Sequence, residues 1–215
     1  MSKIFKTGIF YKPYLYFNLY YKNKALKKRK TYSQHREDLF IDNYFKDMKN
    51  GFYLDIGCYH PIKYSNTALL FNRGWKGINI DMNQTSIDMF NVLRKGDKNI
   101  CAAISNENKE ATQYLDHDFS PVNSLEKKFS DTVSKEISFN RHLERKIHTY
   151  KFSQIIEAQN IKDTQIDFIN IDAEAHDFEV LEGIDLNIYK AKLICIEMLD
   201  FENKINEKKF QHYLT

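Results

Sequence analysis

Gly51-Phe52-Tyr53-Leu54-Asp55-Ile56-Gly57-Cys58-Tyr59-His60-Pro61 decides the fold of this chain, together with an acid that follows at a set distance. Phe52 to Ile56 has the make-up of a short buried strand. Gly57 lets the backbone turn close to a ligand, and Pro61 holds His60 extended beyond that turn. Lys76-Gly77-Ile78-Asn79-Ile80-Asp81 then reads as a second strand ending in a carboxylate, 24 residues after Gly57. A glycine turn after one strand and an acid about 20 residues on is how α/β folds hold a nucleoside, the acid accepting bonds from ribose hydroxyls. Dinucleotide binders use three glycines in that turn. Here Tyr59 and Ile62 stand where further glycines would be, which favours a nucleoside without a pyrophosphate. S-adenosylmethionine has that make-up.

Working outward, the pattern alternates. Strand Phe52–Ile56 precedes a helix over 65–72, and strand Gly77–Ile80 precedes a helix over 86–94. A third strand is expected over 99–104 and a short extra one over 112–115. Residues 124–147 are polar and highly charged and read as a helical insertion forming a lid or substrate wall. A helix over 152–159, an apolar strand over 166–171, a helix over 178–181, a buried strand over 192–198 and a terminal helix over 202–214 complete the series. A helix over 37–48 precedes it. Strand–helix alternation of this length implies a parallel sheet covered on both faces.

At 215 residues the chain holds one sizeable core, and 42% hydrophobic with 14% aromatic residues marks it as globular. Cys58, Cys101 and Cys195 are far apart in apolar segments. They read as reduced core thiols of a cytoplasmic protein, giving little support to a disulfide framework or a zinc site. The net charge of +3 hides an asymmetry: the first thirty residues hold nine Lys and Arg and no acid, leaving 23 basic against 29 acidic residues. Residues 1–32 therefore form a basic, aromatic arm ahead of a domain spanning 33–215. Lys12 and Pro13 interrupt its apolar run, so it is neither a secretory signal nor a membrane span. Two readings stand side by side: an added helix packed on the domain, or a peripheral contact with the inner face of a membrane or with a polyanion.

A second constellation lies at Ile166-Asp167-Phe168-Ile169-Asn170-Ile171-Asp172-Ala173-Glu174-Ala175-His176-Asp177. Asp172 falls at a strand end, where open α/β sheets bind ligands. Glu174 and His176 follow before the next helix, crowding three ionisable side chains into one loop. Asp177 and Glu179 fit the simpler role of stabilising the positive end of that helix.

These residues resemble the FkbM family of methyltransferases. The likeness runs from Ser33-Gln34 and Glu37-Asp38 through Leu54-Asp55-Ile56-Gly57, His60-Pro61, Ser65-Asn66-Thr67, Gly74-Trp75-Lys76-Gly77-Ile78 and Asp81. It continues in Ile166-Asp167-Phe168, Asp172-Ala173-Glu174, Val180-Leu181 and Ile196-Glu197. The resemblance implies a Rossmann-like class I methyltransferase: a three-layer sandwich with a mostly parallel central sheet, preceded here by a helical arm. It also implies S-adenosylmethionine as cofactor and a small-molecule or glycan acceptor, usually methylated on oxygen, as in surface polysaccharide synthesis. Two departures stand out. Ala175 replaces the usual glycine after Asp-x-Glu, and the chain ends at Thr215, so the C-terminal end of the sheet is expected to be shortened.

Expected roles follow. Gly57 permits close approach of the methionine part of the cofactor, with Asp55 and Cys58 in the same turn. Asp81 binds ribose hydroxyls, Ala103 and its neighbours flank the adenine, Gln34 and Asn66 donate to the methionine carboxylate, and Asp172 also touches the cofactor; Trp75 belongs to the core. Methyl transfer to a hydroxyl needs alignment and removal of a proton. His60 or His176 can act as that base, or Asp172 and Glu174 can hold magnesium or manganese that acidifies the hydroxyl; the sequence leaves both routes open. A nicotinamide oxidoreductase would want the missing glycine-rich turn. A nucleic-acid methyltransferase would use the arm, but neither an Asp-Pro-Pro-Tyr motif nor a Pro-Cys nucleophile is present. A non-catalytic interaction protein on the same fold would not need Gly57, Asp81, Asp172 and Glu174 intact.

Overall fold

The computed structural model describes residues 8–23, 29–136, 143–161, 165–198 and 205–214. Five strands form an all-parallel sheet: β1 (Phe52–Ile56), β2 (Lys76–Asp81), β3 (Lys98–Cys101), β7 (Phe168–Ile171) and β8 (Leu193–Ile196), in the order β3-β2-β1-β7-β8. Side chains alternate across each strand, as the pleat requires. Leu54, Ile56, Ile78, Ile80, Ile169 and Ile171 enter one apolar cluster, with Phe152 and Ile156 of α6 (Phe152–Ala158), Phe178 and Leu181 of α7 (Asp177–Glu182) and Phe210 of α8 (Ile205–Leu214). On the opposite face Tyr53 and Phe168 pack with Ile41 of α2 (Glu37–Tyr44), Leu70 of α3 (Ala68–Asn72) and Trp75. Helix α4 (Gln84–Leu93) leads into Arg94 on this second face, giving three layers.

Three expectations change. The expected third strand is cut at Ala102: Lys98–Cys101 stays in the main sheet, while β4 (Ala103–Ile104) joins a second, three-stranded sheet in the order β4-β6-β5. The short extra strand is the longer β5 (Lys109–Leu115). Among the described residues, the insertion is helical only over α5 (Lys127–Glu136). Its C-terminal part belongs to β6 (Leu143–Tyr150), antiparallel to β5 and parallel to β4. Nearly every residue of β6 is exposed, so ladder hydrogen bonds hold it rather than a buried face, and no apolar periodicity announces it. The cysteine expectation also needs correction, because Cys101 is exposed at the end of β3.

Residues 8–22 of the arm are continuous helix: a 3₁₀ turn (Gly8–Phe10), α1 (Tyr11–Tyr16) and a π-helical stretch (Phe17–Lys22). Leu15 and Leu19 are buried against Met89 of α4, and the Tyr11 hydroxyl donates to Asp88. No described helix is long and apolar enough to cross a membrane.

Candidate functional site

Strand order reverses between β1 and β7, and a cleft opens at the carboxyl ends of the strands there, the expected ligand position in such sheets. Of the expected site residues, Gln34, Gly57, Asp81, Ala103, Asp172, Glu174 and His176 line this cleft; Asp55, Cys58, His60 and Asn66 are not among its lining residues.

Gly57 sits at φ +77°, and a Cβ there would lie 1.7 Å from the Asp172 carbonyl oxygen. The glycine is thus demanded first by the neighbouring strand end, and it draws Asp172 against the turn. The Gly57 amide is bound to the Ile80 carbonyl (2.9 Å), which brings the ends of β1 and β2 together. Asp81 then accepts from the amides of Tyr59 (2.8 Å) and Asn83 (2.7 Å). The Ser86 hydroxyl stands beside it as well, and the acceptor capacity that remains on the carboxylate suits a ligand hydroxyl. Burial lifts this carboxyl to about 6, against the pull of those two amides and with a further push from Asp55. Beside it, Ala102 and Ala103 leave room for a flat ring. Gln34 reaches the rim because Asp38 clamps its loop, accepting from Thr31 (2.6 Å), the Tyr32 amide (2.6 Å) and Ser33 (2.8 Å).

At the other side of the cleft Asp172, Glu174 and Glu197 bring carboxylate oxygens within 4.8 Å of one another. Each follows the end of a strand, β7 or β8. Burial raises all three. Repulsion from Glu197 adds to it at Asp172, which stands well above the carboxylate range, and repulsion from Asp172 and Glu197 adds to it at Glu174, pushed up to about 9. Glu197 is raised by burial and Asp177, while its hydrogen bond with Asp172 pulls it down. Such a cluster either shares protons or holds a hard divalent cation. The loop between Asp172 and α7 is backbone-strained, with Glu174 at φ 54° and Ala175 at φ 72°. Ala175 therefore occupies the left-handed region that suits glycine. Asp177 fastens the loop by accepting from the amides of Ala173 (2.7 Å) and Ala175 (3.0 Å).

His176 is tied at both ring nitrogens, Nδ1 to Glu126 (2.8 Å) and Nε2 to the Ser105 hydroxyl (3.0 Å). The contact with His176 holds the Glu126 carboxyl below its usual range. The connectivity is that of an acid–histidine–serine nucleophile, but Ser105 is fully buried and unable to reach a substrate carbonyl. The chain braces the cleft wall instead. That wall is formed by Ser120, Pro121 and Asn123, just ahead of the segment expected to supply it, and by Leu125 at the start of that segment, where the Ser124 hydroxyl donates to the Glu174 carbonyl (2.6 Å).

His60 does not fit the expected role of base. Its Nδ1 accepts from the amides of Ile62 and Lys63 (3.0 Å each), and Nε2 meets Asn23 of the arm (3.1 Å). The ring is buried, and desolvation first, then Lys63, Arg94 and Lys22, lowers its pKa to about 3. It organises the loop after Gly57. Asp55 is also structural: it accepts from Thr67 (2.6 Å) and Asn170 (2.9 Å), and Asn66 donates to Asn170 (2.9 Å). Arg94, fully buried, completes this network through Thr67 (2.8 Å), Ser65 (2.9 Å) and the Pro61 carbonyl (2.8 Å). Cys58 is buried beside Ile87 and Phe90.

Two features of the site were not assigned a role from the sequence. Glu197, which joins the carboxyl cluster without being a cleft-lining residue, carries a readable signal, an acid directly after an apolar strand. Gln113 carries none: it is 1% exposed on β5, lines the cleft, and its carboxamide oxygen accepts no hydrogen bond. An enclosed acceptor facing a cleft calls for a donor from a ligand.

A family model described as the Methyltransferase FkbM domain matches residues 55–215, well over half of the chain. The chain therefore belongs to the FkbM methyltransferase family, and its fold agrees with the Rossmann-like architecture of such enzymes. No curated protein and no solved structure gives a significant match.

Proposed function

We propose that this methyltransferase uses S-adenosylmethionine and methylates a hydroxyl of a sugar, on a nucleotide-activated or glycan-linked acceptor of surface polysaccharide synthesis. The observation that carries the reading is the pairing, across one cleft, of a nucleoside-type edge (Gly57, Asp81, Ala103) with a carboxyl cluster (Asp172, Glu174, Glu197). The nucleoside edge fits the cofactor. Asp81 has acceptor sites left for ribose hydroxyls, the alanines leave space for the base, and the unsatisfied Gln113 oxygen suits a donor such as an exocyclic amine. When bound, the cofactor supplies a methyl group on a positively charged sulfur.

The acceptor side favours the neutral, polyhydroxylated sugar part of such a molecule at the cleft. Gln34, Ser120, Asn123, Asp172 and Glu174 offer hydrogen bonds without a cluster of cationic side chains among the described lining residues. Asp172 and Glu174 orient the acceptor hydroxyl and take its proton. Their raised pKa values make them stronger bases once ionised than a solvent-exposed carboxylate. The same oxygens can instead place magnesium or manganese beside the hydroxyl.

Asp172→Asn decides whether this cluster does the chemistry. The variant keeps the shape, so product affinity should stay within a few-fold while kcat falls about 100-fold or more. Chelator followed by added magnesium or manganese separates the routes: rescue assigns the carboxylates as ligands, and indifference assigns them as the proton acceptor. Undiminished turnover in the variant rejects the proposed site.

A further inference from the structure

We infer that the outer face of the N-terminal helix docks on an anionic lipid bilayer. The helix has two unlike sides. Leu15 and Leu19 are buried against the domain, whereas Ile9 (84% exposed), Tyr16, Phe17 and Tyr21 (73% exposed) face outward. The outward residues form stripes at helical spacing, with Tyr16 stacked on Tyr20 (5.7 Å) and Phe17 on Tyr21 (5.3 Å). A monomeric soluble protein rarely leaves such a contiguous aromatic surface to water.

The chemistry around the stripe selects the occupant. Lys12, Lys22, Arg29 and Lys30 are exposed, and the first thirty residues contain nine cationic side chains and no acid. Exposed tyrosine and phenylalanine on the helix, in an arm that is otherwise cationic and free of acids, match the headgroup region, where aromatic rings sit at the boundary and basic groups meet phosphates. A second copy of this chain would bring a like-charged arm against the first. A soluble polyanion would use the cations but leave the aromatic stripe without a role. Docking would also reach the cleft, since Phe119 packs in the arm's apolar cluster and stacks on Tyr59 of the cleft (4.9 Å).

Co-sedimentation of the full chain with vesicles tests this. Phosphatidylcholine vesicles containing phosphatidylglycerol should bind at least about tenfold more tightly than phosphatidylcholine alone, and raised salt should weaken that binding several-fold. The combined variant Ile9→Ser, Tyr16→Ser, Phe17→Ser, Tyr21→Ser should fall to the level of neutral vesicles while unfolding close to the temperature of the parent, because none of the four belongs to the buried cluster of Leu15, Leu19 and Met89. Equal binding to both vesicle types, or full binding by the variant, overturns the inference. So does capture by heparin or polyphosphate without vesicle binding, or a dimer in light scattering that the variant abolishes without vesicle binding.

Discussion

His60 sits next to the proline that made it look like an outward-facing base, yet its loop folds back on Nδ1. Local sequence conveys which residue follows the glycine turn but not which way an imidazole points. The pH consequence has a definite sign. An unfolded histidine titrates near about 6.5, and the folded ring does so at about 3, so the unfolded chain binds the extra proton in between. The stability is complete above the unfolded value and is lost as pH falls toward the folded one. Asn in this place keeps an acceptor for the two amides and cannot titrate. Denaturant unfolding from neutral pH to about pH 4 should therefore show His60→Asn losing less stability than the parent, with turnover at neutral pH kept within several-fold. A folded variant that has lost about 100-fold in turnover would restore the role of base. Other residues were legible for partly different reasons. Gly57 was read as making room for a ligand, but the Asp172 carbonyl is what first excludes a side chain there. Asp172 and Glu174 were legible because strand ends meet ligands. Gln113 was hidden because an isolated glutamine in a strand looks solvent-facing until the fold covers it.

The elements that read well are those with a buried face. Strands β1, β2, β7 and β8 alternate or run apolar, and their covering helices repeat at helical spacing. Helix α4 ends in Arg94, whose buried guanidinium could not be foreseen from a helix-terminal position that usually faces water. β6 was misread because its neighbours, not its own pattern, keep it extended. The arm reads as packed helix on one side and exposed on the other. Leu19 is fully buried in it, so Leu19→Ala should cost about 2–4 kcal/mol, read as a lower denaturant midpoint. An unchanged midpoint would mean that the arm does not dock through α4. That variant tests the inner face only; the aromatic face is tested on vesicles.

At the scale of the whole molecule, sheet order and site are one fact. Reversal between β1 and β7 leaves a crevice above the sheet, and the two strand pairs on either side deliver different chemistry to it. β1, β2 and β4 bring a glycine, an acid and an alanine suited to a nucleoside. β7 and β8 bring three carboxyl groups suited to a hydroxyl acceptor. The family assignment makes the protein a methyltransferase, and under the function proposed above the cleft divides into a cofactor half and an acceptor half. Calorimetric titration with S-adenosylhomocysteine, on the parent, Asp81→Asn and Asp81→Ala, tests this division most directly. The parent should bind, and its affinity should weaken as pH drops through about 6, where Asp81 gains a proton. Removing the acceptor in Asp81→Ala should cost about 1–3 kcal/mol, or roughly 5- to 150-fold in Kd, with Asp81→Asn between the two. No binding by the parent, or equal affinity in all three proteins, would contradict the account.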